Sequence, residues 1–275
     1  MDICAIDWNE AWKEKLTSSF DAIGAEEYWD RRAPAFARPE SGGPYVEQFL
    51  RLLSLQSDWR VLDVGCGTGA LTVPLAPLVG RITALDISSA MLDSLRTACR
   101  HQNIRNVHTV RASWTDDWRK LDIEPHEVVI ASRSLIVPDL TRAIDTLNRF
   151  ALHRVYISVP VGDGPLDPAL FQAIGRPWRR GPDYIYVYNL LYQMGIHANL
   201  AFITYREDKP YPDLMAAMTG LKNRTGDLLP SEEASLKKYI DQTFECRDGR
   251  WQLRDARTIR WAVIWWEPSD RRHNP

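Results

Sequence analysis

The chain has 275 residues, 45% of them hydrophobic and 25% charged, an ordinary globular composition that argues against disorder and gives room for one elaborated α/β domain or two small ones. Its formal net charge is −2, so no global field draws it to nucleic acid or to an anionic membrane. Four scattered cysteines (Cys4, Cys66, Cys99, Cys246) and six histidines without ligand spacing argue against a disulfide framework and a structural metal.

Residues 1–15 mix charge with tryptophan and hold no apolar run, so no signal peptide is expected. No stretch reaches the length of a membrane span, and the expected compartment is the reducing cytoplasm. Apolar residues at helical spacing (Trp8, Trp12, Leu16, Phe20) and the group Tyr28-Trp29 before Arg31-Arg32-Ala33 predict two helices, ending near Pro34 or Pro39. Ser41-Gly42-Gly43-Pro44 reads as a turn, and residues 45–55 as an amphipathic helix. From residue 60 strand and helix alternate. Strands are expected at 60–64, 81–87, 107–112, 127–132 and 154–159. Helices are expected at 70–79, 89–100 and 140–150, with Ser88 as an N-cap and Pro74 and Pro77 limiting the first.

The rhythm breaks at 160–183, which is rich in Pro and Gly but also carries Leu166, Phe171 and Trp178 and so reads as an ordered excursion. A helix at 184–194 capped by Gly195, a sixth strand at 200–205, helices near 212–221 and 231–243, and a last strand at 258–266 complete the pattern. The expected fold is α/β: a doubly wound, seven-stranded, mostly parallel sheet with helices on both faces. Its last strand is antiparallel, and it has an N-terminal helical lid and insertions after strands five and six. No free linker is visible, so 1–275 reads as a single domain. Within it 1–56 form the N-terminal helices and lid, 57–206 the core, and 207–275 a helical insertion and the final strand. The eleven tryptophans read first as core and lid packing, with an aromatic-lined pocket as the alternative.

The chemistry concentrates in Val61-Leu62-Asp63-Val64-Gly65-Cys66-Gly67-Thr68-Gly69 and Ala84-Leu85-Asp86-Ile87-Ser88. Glycines where a strand turns into a helix allow the sharp turn and let a ligand lie against the backbone. Asp86, closing the next strand, is placed to accept hydrogen bonds from both hydroxyls of a ribose. Gly65, Gly67 and Ala70 also satisfy a weak dinucleotide fingerprint, but Asp63 opposes it. Beside a pyrophosphate that carboxylate is repulsive; beside the ammonium of an amino acid it is attractive. A ligand with adenosine at one end and an ammonium at the other is S-adenosylmethionine.

Residues 62–69 resemble motif I of the class I, Rossmann-like S-adenosylmethionine-dependent methyltransferases, in their small-molecule branch, and Asp86 matches that family's ribose-binding acid. Residues 28–33 resemble the family's N-terminal lid segment, and 190–195 its helix ending in glycine before the sixth strand; the resemblance covers about 26–205. It implies S-adenosylmethionine as cofactor and S-adenosylhomocysteine as product. Tyr28 would belong to the lid, Asp63 would lie near the amino group, Gly65, Gly67 and Gly69 around the methionine part, Asp86 at the ribose, and Ile87 and Met91 at the adenine. At the end of the third strand Ser113 and Trp114 depart from the family pattern, which often has an acidic residue there; Asp116 or a backbone carbonyl is the substitute. Arg133 reads equally as a partner for the cofactor carboxylate or an acidic substrate and as one half of a surface salt bridge.

Ala131-Ser132-Arg133-Ser134 replaces the Asn/Asp-Pro-Pro-aromatic tetrapeptide of many nucleobase and glutamine methylating enzymes, which argues against those acceptors. Tyr184, Tyr188 and Tyr192 share one helix face and read as core rather than pocket, and no catalytic base is assigned among them, His197 and Asp139. The expected acceptor is a small molecule, with no nucleic acid, membrane or metal. Methylation of RNA or protein, and a cofactor-binding sensor or partner subunit without transfer, are the alternatives.

Overall fold

The computed structural model describes residues 5–17, 25–36, 43–207 and 210–268. They divide into two compact units, one drawn from Met1–Val161, Gly181–Ile203 and Trp261–Pro275, the other from Gly162–Arg180 and Thr204–Arg260. The excursion after the fifth strand and the insertion after the sixth thus make up the second unit. Residues 18–24 and 37–42, including Phe20, Pro39 and most of the turn before Pro44, lie outside the described residues.

A seven-stranded sheet is built from β1 (Arg60–Val64), β2 (Arg81–Asp86), β3 (Val107–Arg111), β4 (His126–Ser132), β5 (Ala151–Pro160), β6 (Asn199–Glu207) and β9 (Arg257–Trp266), in the order β3-β2-β1-β4-β5-β9-β6. The pairs β1–β2, β1–β4, β2–β3 and β4–β5 are parallel, and β9 runs antiparallel to β5. The central strands bury both faces, which is why they read as unbroken apolar runs rather than alternation. The doubly wound expectation holds, with the reversal of strand order beside β1 where such folds place a crevice.

On one face α1 (Trp8–Thr17), α6 (Leu140–Phe150) and α8 (Tyr184–Gln193) bury Trp12, Ile144, Leu147, Val187 and Leu191 against Leu62, Val129, Val155 and Ala262. Helix α5 (Ser89–His101) packs on β2, β3 and the short α4 (Thr72–Leu75). Its N-cap is Ser88, whose Oγ accepts the Met91 N–H at 3.1 Å. The helix expected at 70–79 is only α4 followed by a 3-10 turn, Ala76–Leu78, because each proline is tolerated only in a first turn.

The N-terminal helices differ in kind. Trp12 of α1 is 2% exposed and donates its indole N–H to Val137 O at 2.6 Å. Tyr45, Val46 and Phe49 bury α3 (Pro44–Leu52) equally. Helix α2 (Ala25–Phe36) runs through Pro34 and, among its described residues, buries only Ala33.

In the second unit α7 (Pro168–Ala173), α9 (Leu214–Thr225) and α10 (Pro230–Thr243) enclose a small core of Leu170, Leu221, Leu236 and Ile240. A hairpin, β7 (Phe244–Arg247) with β8 (Arg250–Leu253), was not expected; it turns at Asp248-Gly249, both at positive φ. Among the described residues no helix is long and apolar enough to cross a membrane.

Candidate functional site

The glycine loop is fixed to the sheet by its own backbone. The N–H groups of Gly65 and Cys66 both donate to Leu85 O, at 2.7 and 2.9 Å. At Gly65 a β-carbon would stand 2.3 Å from Ser134 Cβ, so the close approach of the loop after β4 requires glycine. At Gly67 a β-carbon would meet only Met91 Sδ at 4.0 Å, so it is the φ of +55° that favours glycine there, and the loop presents bare backbone. Gly69 packs against Leu95.

Two carboxylates flank this loop. Asp63 is 2% exposed; the Thr72 hydroxyl donates to its Oδ2 at 2.6 Å, and Oδ1 has no hydrogen-bond partner among the described residues. Burial pushes its carboxyl up to about 6 against the Thr72 bond, Asp86 adding to the rise and Arg133 opposing it. Asp86 accepts the Gly67 N–H at 2.8 Å on Oδ2 and the Ser88 N–H at 2.9 Å on Oδ1. Burial raises its carboxyl too, opposed by those N–H groups. Each of its oxygens keeps a second lone pair for another donor. Ile87 is half-buried beside it, and Met91 lies buried beneath the loop.

Helix α2 is tied to both motifs. Asp30 Oδ1 accepts the Ser88 hydroxyl at 2.5 Å and the Ala90 N–H at 3.2 Å, on the first turn of α5. The Thr68 hydroxyl donates to Phe36 O at 3.0 Å, and Glu26 pairs with Arg111. The Tyr28 ring meets Trp29 edge-on at 5.0 Å and carries the Arg32 guanidinium at 4.3 Å; burial raises its phenol, with Arg32 opposing.

After β3, Ser113 donates its N–H to Asp116 Oδ2 at 2.7 Å, its Oγ lies 2.7 Å from Thr115 Oγ1, and its carbonyl accepts the Trp118 indole at 2.8 Å. Asp116 is therefore already engaged in holding the turn. Trp114 packs half-buried on the main core, 5.8 Å from Trp118. After β4, Arg133 adopts φ 58°, its N–H held by Ser158 O and Oγ, both at 3.1 Å. Its guanidinium lies 4.2 Å from the Tyr45 ring and forms no ion pair among the described residues, so the surface salt bridge weighed for it is not made. Ser134 Oγ donates to Val64 O at 2.6 Å, joining the ends of β4 and β1.

Residues 61–151 match the family model described as a methyltransferase domain. A Haemophilus influenzae protein of uncharacterized function is 36% identical over 244 residues, which span 86% of this chain and 88% of that protein. The chain belongs to the class I, Rossmann-like methyltransferases. Among solved structures, coclaurine N-methyltransferase bound to N-methylheliamine and S-adenosylhomocysteine superposes with a TM-score of 0.53 at 13% identity, over 94% of this chain and 88% of that one. Phosphoethanolamine N-methyltransferase 2 of Haemonchus contortus gives a TM-score of 0.55 at 14% identity, over 90% of this chain and 61% of that one. At these identities the likeness is one of fold. Partial matches to enzymes named for tRNA, rRNA, protein and small-molecule acceptors span 24% to 59% of this methyltransferase.

The side chains weighed as bases in this methyltransferase have other engagements. Tyr188 donates to Ala198 O at 3.0 Å, Tyr184 packs against the core, Tyr192 is exposed beside His197, and Asp139 caps α6 by accepting the Arg142 N–H. Four participants escape sequence reasoning: Thr72 under Asp63, Asp30 on α5, and the pair Tyr45 and Ser158 beneath Arg133. Only Asp30 carried a signal, as part of the segment 28–33.

Proposed function

We propose that this methyltransferase takes its methyl group from S-adenosylmethionine and delivers it to a small-molecule acceptor. One observation carries the cofactor reading: Asp63, 2% exposed, receives a side-chain hydrogen bond only on Oδ2, from Thr72, two residues before a loop that presents bare backbone at Gly67. Its other oxygen is available to a further donor, and the α-ammonium group of an amino acid, cationic and rich in N–H donors, fits. When bound, the cofactor supplies a methyl group on a sulfonium, which leaves by in-line displacement.

The chain's own residues then bind, orient and exclude water. Asp63 takes the ammonium, and Gly65, Gly67 and Gly69 keep backbone against the methionine part. Asp86 receives the ribose hydroxyls on the lone pairs that Gly67 and Ser88 leave free. Ile87 and Met91 pack toward the adenine, Ser113 and Trp114 border it, and Arg133 faces the carboxylate. Tyr28 closes the site from α2. No residue is given the part of a base, since displacement at a sulfonium asks first for position. The small-molecule acceptor rests on the near-neutral charge and on the absence of Asn/Asp-Pro-Pro-aromatic after β4.

Incubation with methyl-labelled cofactor and a cell extract, separated by size, tests both parts. Label is expected in the small-molecule fraction. Label in RNA or protein alone would overturn the acceptor class, and no transfer to any fraction would favour a cofactor-binding protein without activity.

A further inference from the structure

Arg133 stands in a conformation that costs a non-glycine residue energy, and its surroundings enforce it. Ser158, fully buried, holds the Arg133 N–H through both its carbonyl and its hydroxyl. Tyr45 Oη lies 2.6 Å from Ser158 Oγ and 2.6 Å from Ser132 Oγ, so Tyr45 pins the residues that fix that backbone. The same tyrosine turns its ring to the arginine: the guanidinium is 4.2 Å from the Tyr45 centroid and 5.9 Å from that of Trp261, and the two rings meet edge to face at 5.8 Å. Both rings are buried, 5% and 6% exposed. Ser134, the next residue, touches Gly65, and the Arg133 charge is felt by Asp63.

We propose that Tyr45 and Trp261 are positioning residues: an aromatic seat that holds the Arg133 guanidinium toward the glycine loop, where it pairs with the carboxylate of the bound methionine moiety. The inference rests on the cofactor reading above and extends it. A guanidinium is planar, stacks on aromatic faces and leaves its edge donors free for a carboxylate. A free arginine samples many rotamers and loses that entropy on binding, whereas a seated one has lost it beforehand. Asp63 and Arg133 then read the two charges of an amino acid from opposite signs, and the seat fixes the position of the positive one.

The test compares S-adenosylhomocysteine with 5′-methylthioadenosine, which lacks the amino-acid group, by calorimetric titration of the full chain. Arg133→Met is expected to weaken S-adenosylhomocysteine about tenfold or more and 5′-methylthioadenosine hardly at all, as loss of one charge-assisted pair. Tyr45→Leu and Trp261→Leu are expected to do the same about three- to tenfold, on the scale of a cation–π contact. Tyr45→Phe and Trp261→Phe, which keep a ring face, should retain most of the discrimination. Unchanged 5′-methylthioadenosine binding certifies that each variant is folded. If Arg133→Met separates the two ligands and the leucine variants do not, the seat is wrong and the cofactor reading stands. If Arg133→Met does not separate them, Arg133 has no carboxylate partner on the cofactor and the proposal fails at its base. Equal loss in Tyr45→Phe and Tyr45→Leu would assign the effect to the hydroxyl network and overturn the seat.

Discussion

Asp63 is the residue on which stability and function pull apart. Its carboxyl stands near 6 where an unfolded chain has 3.8, so the folded state favours the protonated form. The stability this lends is present in full below the unfolded value and is lost as pH rises through about 6. Above that the ionised group costs roughly 3 kcal/mol, taking about 1.4 kcal/mol for each unit of difference. Asp63→Asn keeps an acceptor for Thr72 and removes the charge. The ligand-free variant is expected to melt above the wild type at pH 8, the gap closing toward pH 4, while S-adenosylhomocysteine binds about 2 kcal/mol more weakly and 5′-methylthioadenosine nearly as before. Asp86→Ala should weaken both ligands alike, by about 2 to 4 kcal/mol, since both carry the ribose. Equal loss of both ligands in Asp63→Asn would make Asp63 a support of the turn and nothing more. Both carboxylates were legible in the sequence because each sits within a few residues of its loop. Their partners were not: Thr72 is an ordinary threonine until the chain turns back under β1, and Asp30 lies 58 residues from Ser88.

Among the described residues, α2 is held by polar ties more than by apolar burial. Trp12 and Phe49 build α1 and α3 into the core, but α2 is fastened by Asp30 on α5, Thr68 on Phe36 O and the exposed Glu26–Arg111 pair. Such ties open at low cost. Hydrogen exchange in residues 25–36 is expected to be fast in the free protein and slowed by S-adenosylhomocysteine. Asp30→Asn, which weakens the acceptor on Ser88 and the α5 first turn, should speed exchange about tenfold without ligand, as loss of one charge-assisted bond. Exchange that is slow in the free protein and indifferent to ligand would place α2 in the permanent structure. The alternation of buried strand and amphipathic helix from residue 60 onward is a local pattern, and it was readable. The hairpin β7–β8 was not read: Asp248-Gly249 is a turn signal, but the flanking strands of four residues are too short to show a period beside the helices around them.

At the scale of the whole molecule, the parallel strands β3-β2-β1-β4-β5 of the seven-stranded sheet bring strand ends that are distant in sequence to one edge of the sheet. The loops after β1, β2, β3 and β4 meet there because the registers Val64↔Leu85 and Asp86↔Arg111 align the strand ends. That convergence could be expected from the fold class. The seat of Arg133 could not, since it joins Tyr45, Arg133 and Trp261 across more than two hundred residues. An acceptor is specified by side chains gathered in this way, which is why the sequence speaks for the cofactor and not for the substrate. The central claim is that the crevice takes a ligand with adenosine at one end and an amino acid at the other, in place of a dinucleotide. Thermal unfolding of the purified chain with saturating S-adenosylhomocysteine, S-adenosylmethionine or NAD tests it most directly, because a ligand that binds only the folded state raises the midpoint by mass action. Both adenosyl amino acids are expected to raise it and NAD to leave it unchanged; a larger rise with NAD than with S-adenosylhomocysteine would contradict the account.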